Sequence, residues 1–205
     1  MHQRCIRLTP RSVTRVLSAA AVLLVALSVA GQLYLYLTPR ESPWGIVGLF
    51  NVDFEMNVPT LFAVLVLLLA ATLLAVIAVL ERQAGGRHVR RWTLLSLGMA
   101  AIGCDEFLAL HEKASEPLRR LLGWETMGYL HFAWVIPGAI GVEMVGGRYA
   151  EAVGTWNLTY SLITTVEESL ELAGTILFID ALLRYLAAEH AVIRLEFAAR
   201  PAGEE

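Results

Sequence analysis

The stretch VPTLFAVLVLLLAATLLAVIAVL, residues 58–80, decides the fold class of this chain, because it is uncharged and almost wholly apolar. At about 1.5 Å per residue, a helix of this length crosses the ~30 Å hydrocarbon core of a bilayer. Similar apolar runs at residues 16–37 and 92–110 predict two more spans. The composition agrees, since 57% of the residues are hydrophobic, 17% are charged and the mean hydropathy is +0.59. We therefore predict an integral membrane protein.

Two further apolar segments complete the prediction of an all-α, polytopic helical membrane bundle. The first is interrupted by Pro137, Gly138 and Gly141, so it is either a broken span or a re-entrant hairpin. The second is apolar but contains three glutamates. Residues 1–205 are predicted to form one membrane domain, with spans near 16–37, 58–80, 92–112, 127–147 and 158–186 and a cytoplasmic tail at 187–205.

Basic residues predict the orientation of the chain. Arginines concentrate before the first span and in the loop after the second, at Arg4, Arg7, Arg11, Arg15, Arg82, Arg87, Arg90 and Arg91. Because positively charged loops stay in the cytoplasm, the amino terminus and this loop should be cytoplasmic. The first segment also resembles a secretory signal, but its apolar run continues into GQLYLYL, so we predict an uncleaved anchor. The third span then runs outward.

The fourth segment decides where the carboxyl terminus lies. A full span there would place the basic tail, residues 187–205, outside the cell, against the positive-inside preference. A re-entrant hairpin would instead return Glu143 to the outer side and leave this tail in the cytoplasm. A third possibility is that residues are absent from the sequence between Gly138 and Gly141, where two full helices would otherwise be joined.

The stretch GCDEFLALHEK, residues 103–113, places several ionisable side chains at the outer end of the third span. On a helix, Asp105 and Glu112 fall within about 20° of each other and share a face. His111 lies about 110° around from them, and Glu106 lies on the opposite flank. The four residues can serve one site only if other helices surround this end; the alternative is a solvated helix end.

A polar stripe follows the last span. Its members fall within an arc of about 100° on a helix; they are Asn157, Tyr160, Thr164, Glu167, Glu168, Glu171 and Thr175. Ionisable residues inside a membrane span are costly to insert and usually face a bundle interior or a water-filled cavity. The three glutamates therefore predict a functional centre, and a purely structural role is the alternative.

Clustered carboxylates cannot all stay ionised without a cation, so protons or a metal ion must lie among them. Oxygen donors with one or two imidazoles suit iron, manganese or zinc. The candidate metal ligands are Asp105, Glu106, His111, Glu112, Glu143, Glu167, Glu168 and Glu171. Three basic residues, Lys113, His131 and Arg148, are other possible partners for the carboxylates.

Five segments also carry a family resemblance: LFNVDFEMNVPT, DEFLALHEK, HFAWVIPG, EMVGGRYAE and NLTYSLITTVEESLELAG. In this order they resemble a family of uncharacterised bacterial multi-span membrane proteins, some of which carry automated transporter labels. The resemblance extends over most of residues 49–186. It implies six spans in the bacterial inner membrane, with the polar motifs on the outer side, and it implies no established activity. The family pattern has a loop and two helix ends where this chain has only Ala139 and Ile140, which favours missing residues at that point.

Three functional hypotheses follow. The leading one is a membrane protein whose buried carboxylate and histidine cluster, on the extracytoplasmic side, binds a metal ion, with catalysis at that metal as an additional hypothesis. The second is a non-catalytic accessory subunit of a larger membrane complex, and the third is a proton-coupled transporter. The lipid bilayer is the expected partner in all three. The net charge of -3 gives no indication of a nucleic-acid partner, and the motifs of common soluble enzymes are absent from the sequence.

Overall fold

A computed structural model describes residues 9–38, 45–108 and 140–189, and within these ranges the chain is helical, without a β-strand. The helices are α1 (Pro10–Leu37), α2 (Ile46–Phe50), α3 (Val58–Gln83), α4 (Val89–Leu108), α5 (Ile140–Val153) and α6 (Leu158–Glu189). The all-α prediction is confirmed for this part of the chain. The short helix α2 was not predicted, because its five residues are too few to produce a periodic pattern.

Side-chain caps fix the starts of the long helices. Thr9 and Ser12 form a capping box, so that α1 begins at Pro10, six residues before the apolar run. Asn57 caps α3 by accepting a hydrogen bond from the backbone N–H of Thr60 (3.1 Å). Asn157 caps α6 in the same way, with an accepted bond of 2.9 Å from the N–H of Tyr160. Short polar residues before an apolar run therefore mark the helix starts.

The long helices pack side by side in alternating directions. Helix α3 packs most extensively on α4 and also contacts α6, while α1 and α5 pack on α6. Thr14 near the start of α1 contacts Asp180 near the end of α6, and Gln32 near the end of α1 contacts Thr165 near the start of α6. Helices α1 and α6 are therefore antiparallel.

Apolar residues join α1, α3 and α6 along their middle sections. The buried residues of this apolar core are Ala21, Val66, Ala70, Leu172, Ile176 and Ile179. A second buried group, Leu74, Ile77, Leu182 and Leu186, continues it toward the later ends of α3 and α6. Residue numbers in α3 and α6 rise together along these contacts, so the two helices run parallel. Trp92 at the start of α4 packs on Tyr185 with ring centroids 5.5 Å apart, which makes α4 antiparallel to both.

This arrangement gathers most of the described acidic residues at one end and most of the described arginines at the other; the exceptions are Glu81, Asp180 and Glu189 among the arginines, and Arg148 of α5 near the start of α6. We call the acidic end the one where α3 and α6 begin; it holds Asp53, Glu55, Asp105, Glu106, Glu167, Glu168 and Glu171. The basic end is the opposite one, where α1 and α4 begin; it holds Arg11, Arg15, Arg82, Arg87, Arg90, Arg91 and Arg184. The carboxyl end of α6 thus lies beside the start of α1, at the basic end.

Two helices, α1 and α3, are long and apolar enough to cross a membrane. Helices α4 and α6, with 20 and 32 residues, have the length but contain more charged residues in their apolar stretches. The predicted fourth segment lies mostly outside the described residues, and only its last part is seen, at the start of α5. The predicted gap next to Gly138 and the tail after Glu189 also lie outside them.

A candidate cation site at the acidic end

A small cavity of about 10 Å³ lies between α3, α4 and α6 at the acidic end, with room for about one water molecule. Its lining consists of Val52, Pro59, Thr60, Ala63, Glu106, Glu168 and Leu172. Two carboxylates from different helices thus face one cavity, and the rest of the wall is apolar except for the Thr60 hydroxyl. Among these lining residues there is no arginine, lysine or histidine.

Glu168 lies at the centre of the acidic charges. It is half-buried, and four other carboxyl groups lie close enough to repel a negative charge on it: Glu171, Glu106, Glu167 and Asp53. Repulsion of this kind rises as water is excluded, because the effective dielectric constant falls. A cation bound between Glu106 and Glu168 would relieve it.

The other predicted ligands divide into three groups. Asp105 and Glu167 are half-buried, and Glu171 is exposed. Glu143 lies on α5, but its side chain is outside the described set, as are His111 and Glu112 altogether. Within the described residues, no group of three or more His, Cys, Asp or Glu side chains is arranged to hold a metal ion. The described part of the site therefore supplies two carboxylates that line one cavity.

The polar stripe of α6 lies along the edge of the buried face of that helix. Ser161, Thr165 and Leu172 are buried and lie on the side where α1 and α3 pack. On a helix they fall roughly 120–160° around from Glu167, with Glu168 between them and Glu167. Glu168 therefore lies nearest the buried face, and Glu171 lies about 60° farther from it. The sequence alone predicts the polar stripe, whereas the packing of the neighbouring helices determines which glutamate is enclosed.

A buried hydrogen-bond network lies next to the cavity. We call Ser28, Gln32, Asn51 and Thr165 the amide network; their exposed fractions are 1%, 1%, 6% and 4%. The Gln32 side-chain amide donates to Asn51 Oδ1 (3.0 Å) and to Thr165 Oγ1 (2.9 Å). Ser28 Oγ accepts a bond of 3.1 Å from the backbone N–H of Val52, a residue that lines the cavity.

Sequence reasoning did not single out the amide network, although a signal for it was present. Ser28 and Gln32 are polar residues four apart inside the first apolar run, so they share one helix face. Polar side chains inside a span usually hydrogen-bond across to a neighbouring helix. The same argument that selected the glutamates of the last span would have selected this pair.

Below the cavity, toward the basic end, the interior becomes apolar. Leu172 forms part of the cavity wall, and the apolar core follows it with Val66, Ala70 and Ile176. The hydroxyls of Thr165, Ser169 and Thr175 donate to backbone carbonyls one turn earlier in their own helix. The described polar side chains that surround the cavity therefore lie on the side toward the acidic end.

Comparison with known proteins identifies a family. No curated protein and no solved structure matches the chain. A family described as a domain of unknown function (DUF8692) matches residues 16–145, more than half of the chain. The match includes α1 to α4 and the Asp105–Glu112 cluster, and it ends before the glutamates of α6. The chain therefore belongs to DUF8692, an uncharacterised family, as the resemblance of its motifs had indicated in general terms.

Proposed function

We propose that this chain is a multi-pass membrane protein that binds a divalent metal ion at its acidic end. The observation that carries the proposal is the cavity that Glu106 of α4 and Glu168 of α6 line together. Carboxylates, with the Thr60 hydroxyl nearby, are hard oxygen donors that suit divalent cations. The proposal keeps the other predicted ligands, of which His111, Glu112 and the Glu143 side chain lie outside the described set; the full list is Asp105, His111, Glu112, Glu143, Glu167 and Glu171. Iron, manganese and zinc are the candidate metals.

Membrane insertion of the whole bundle is part of the proposal. Helices α1 and α3 are apolar enough to span, and α4 and α6 pack directly against α3. Glu106 and Glu168 then lie in the bundle interior, where ionisable residues of membrane helices are normally found. By the positive-inside rule, the arginines at the basic end support a cytoplasmic location for that end, and the candidate site would then lie on the extracytoplasmic side.

A shared proton is the second candidate for the cation. The cavity holds about one water molecule, and the described residues supply only two carboxylates to it. Two carboxyl groups facing each other in an apolar wall can lower their repulsion by sharing one proton. In that case the chain would exchange protons with the extracytoplasmic side. The two candidates differ in the metal content of the purified protein: a metal site predicts bound metal, whereas a shared proton predicts none.

Metal analysis of the purified protein tests the first candidate. We expect about one divalent metal per chain in protein purified without chelator, and saturable Mn²⁺ binding by electron paramagnetic resonance after chelation. Glu168→Gln should weaken Mn²⁺ binding by at least about tenfold, because one charged oxygen ligand is lost. Glu189→Gln is the matched control, since Glu189 is an exposed carboxylate at the other end of the same helix.

Metal binding should also weaken as the pH falls, because protons compete for carboxylate ligands. A protein without stoichiometric metal, with equal Mn²⁺ binding in Glu168→Gln and Glu189→Gln, contradicts the metal candidate. Infrared spectroscopy then tests whether the two carboxyl groups share a proton. A carboxylic-acid carbonyl band that Glu168→Gln removes supports the shared proton, and the absence of such a band contradicts it.

A further inference from the structure

The amide network joins three separate parts of the chain next to the cavity. Ser28 and Gln32 come from α1, Asn51 comes from the connection between α2 and α3, and Thr165 comes from α6. Thr165 lies three residues before Glu168, on adjoining positions of the same helix surface. The network therefore connects the wall of the cavity on two sides, at Val52 and at α6.

The hydrogen bonds of the network hold the turn at residues 51–53 against α1, and Asn57 also holds it by donating to the Asn51 carbonyl. Gln32 donates to Asn51 Oδ1, and this oxygen also accepts from the backbone N–H of Asp53 (3.2 Å). Ser28 Oγ accepts from the N–H of Val52 and contacts Asn51 Oδ1 at 3.3 Å. The turn is thus held by α1, a helix that contributes no residue to the cavity lining.

Gln32 is the central member of this network. An amide side chain has two N–H donors, and the two shortest Gln32 bonds, to Asn51 and to Thr165, use both. Its side chain is 1% exposed, so removing the amide takes one buried donor from Thr165 Oγ1 and one of the donors from Asn51 Oδ1.

We propose that Gln32 is a positioning residue for the candidate site: it fixes the 51–53 turn against α6 and so sets how tightly the cavity holds its cation. Val52 then closes the cavity on the side of the turn, and the Asp53 carboxyl stays near Glu168, where its charge attracts a cation. Gln32 itself does not line the cavity. The effect on affinity rests on the proposed function, whereas the effect on the turn does not.

Two measurements on one variant pair test this role. Gln32→Met keeps nearly the same side-chain length and volume but has no amide. Thr14→Val is the matched control, because Thr14 makes the α1–α6 side-chain hydrogen bond at the basic end, to Asp180 Oδ1 (2.7 Å). Hydrogen exchange reports on the backbone N–H groups of Val52 and Asp53, and electron paramagnetic resonance reports the dissociation constant for Mn²⁺.

For Gln32→Met we expect exchange at Val52 and Asp53 to rise about tenfold or more, and the Mn²⁺ dissociation constant to rise about 10–100-fold. Thr14→Val should change neither, although both variants lower thermal stability. If Gln32→Met fails to fold, Ser28→Ala tests the same turn through the bond to the Val52 N–H.

Different results overturn different statements. Unchanged exchange at the turn in Gln32→Met overturns the positioning role. Faster exchange together with wild-type Mn²⁺ affinity overturns the link from the turn to the site. Equal losses of affinity in Gln32→Met and Thr14→Val point to general destabilisation and also overturn it. A wild-type protein that binds no Mn²⁺ removes the metal proposal, and the exchange data then decide the role of Gln32 in the turn alone.

Discussion

Gly103 sets how closely α4 approaches α3, three residues before Glu106. It is buried, and a Cβ atom built there would lie 3.3 Å from the Leu67 Cβ and 3.6 Å from the Leu68 Cδ2. Contacts of that length leave no space for a branched side chain. Gly98, on the same helix, has open space around the equivalent position. The same substitution at both glycines therefore separates the effect of a packing clash from the effect of replacing a helical glycine.

We expect Gly103→Val to lower the free energy of unfolding by about 1–3 kcal/mol, because α3 and α4 must move apart. Gly98→Val introduces the same side chain without a clash and should leave stability nearly unchanged. Denaturant titration in detergent, followed by circular dichroism, measures the difference. Equal unfolding midpoints for the two variants would show that α4 does not pack on α3 through Gly103.

At the residue scale, the sequence named Glu106 and Glu168 among its eight candidate ligands but did not single them out as the pair that lines the cavity. Helical periodicity grouped Asp105 with Glu112 on a shared face, whereas Glu106 is the α4 residue in the cavity wall. Helical periodicity gives the angle between two residues of one helix. The rotation of that helix about its axis depends on close contacts such as that of Gly103 with Leu67, which a single sequence does not display.

At the scale of the elements, the sequence predicted helix starts better than helix pairs. The polar caps Asn57 and Asn157 mark the first turns of α3 and α6, because their side chains satisfy backbone N–H groups locally. Helix α1 starts at Pro10, before the apolar run, because a helix can extend beyond its apolar segment. The contacts between helices depend on side chains distant in sequence, and these were not predicted.

The pairing of α3 and α4 includes one polar contact that can be tested. Ser96 Oγ on α4 donates to the backbone carbonyl of Ala71 on α3, at 2.8 Å. We expect Ser96→Ala to lower the free energy of unfolding by about 0.6 kcal/mol, and by no more than about 2 kcal/mol, as is typical of hydrogen bonds between membrane helices. Thr93→Ala is the control, because the Thr93 hydroxyl bonds to Val89 within its own helix.

The Ser96 measurement uses the same denaturant titration as the glycine pair. A larger loss of stability in Thr93→Ala than in Ser96→Ala would contradict the observed pairing of α4 with α3.

At the scale of the whole molecule, alternating helix directions bring the charges of distant segments together. Arg11 of α1 and Arg184 of α6 lie at one end, while Asp53, Glu106 and Glu168 lie at the other. Counting arginines in the sequence predicted this separation for the loops. The sequence predicted a cytoplasmic tail after the last helix, and the antiparallel packing of α1 and α6 puts the end of that helix beside the amino-terminal arginines.

Cysteine labelling in intact cells tests the resulting membrane orientation. In a chain with Cys5 and Cys104 replaced by serine, we expect Trp156→Cys to react with a membrane-impermeant maleimide in intact cells. Trp156 is 90% exposed in the α5–α6 turn at the acidic end. Arg87→Cys, exposed in the α3–α4 turn, should react only after the membrane is made permeable. The reverse pattern would place the acidic end in the cytoplasm.

The apolar core below the cavity also has an electrical consequence. The cavity wall includes Pro59 and Thr60 in the first turn of α3, whereas Val66, Ala70 and Ile176 occupy the interior beyond it. In the proposed membrane orientation, a cation entering from the acidic end would stop near the start of α3 and cross only part of the transmembrane voltage, which acts at about 2.3 kcal/mol per unit charge per 100 mV. Occupancy of such a site would follow the cation concentration outside the cell more closely than the energised state of the membrane.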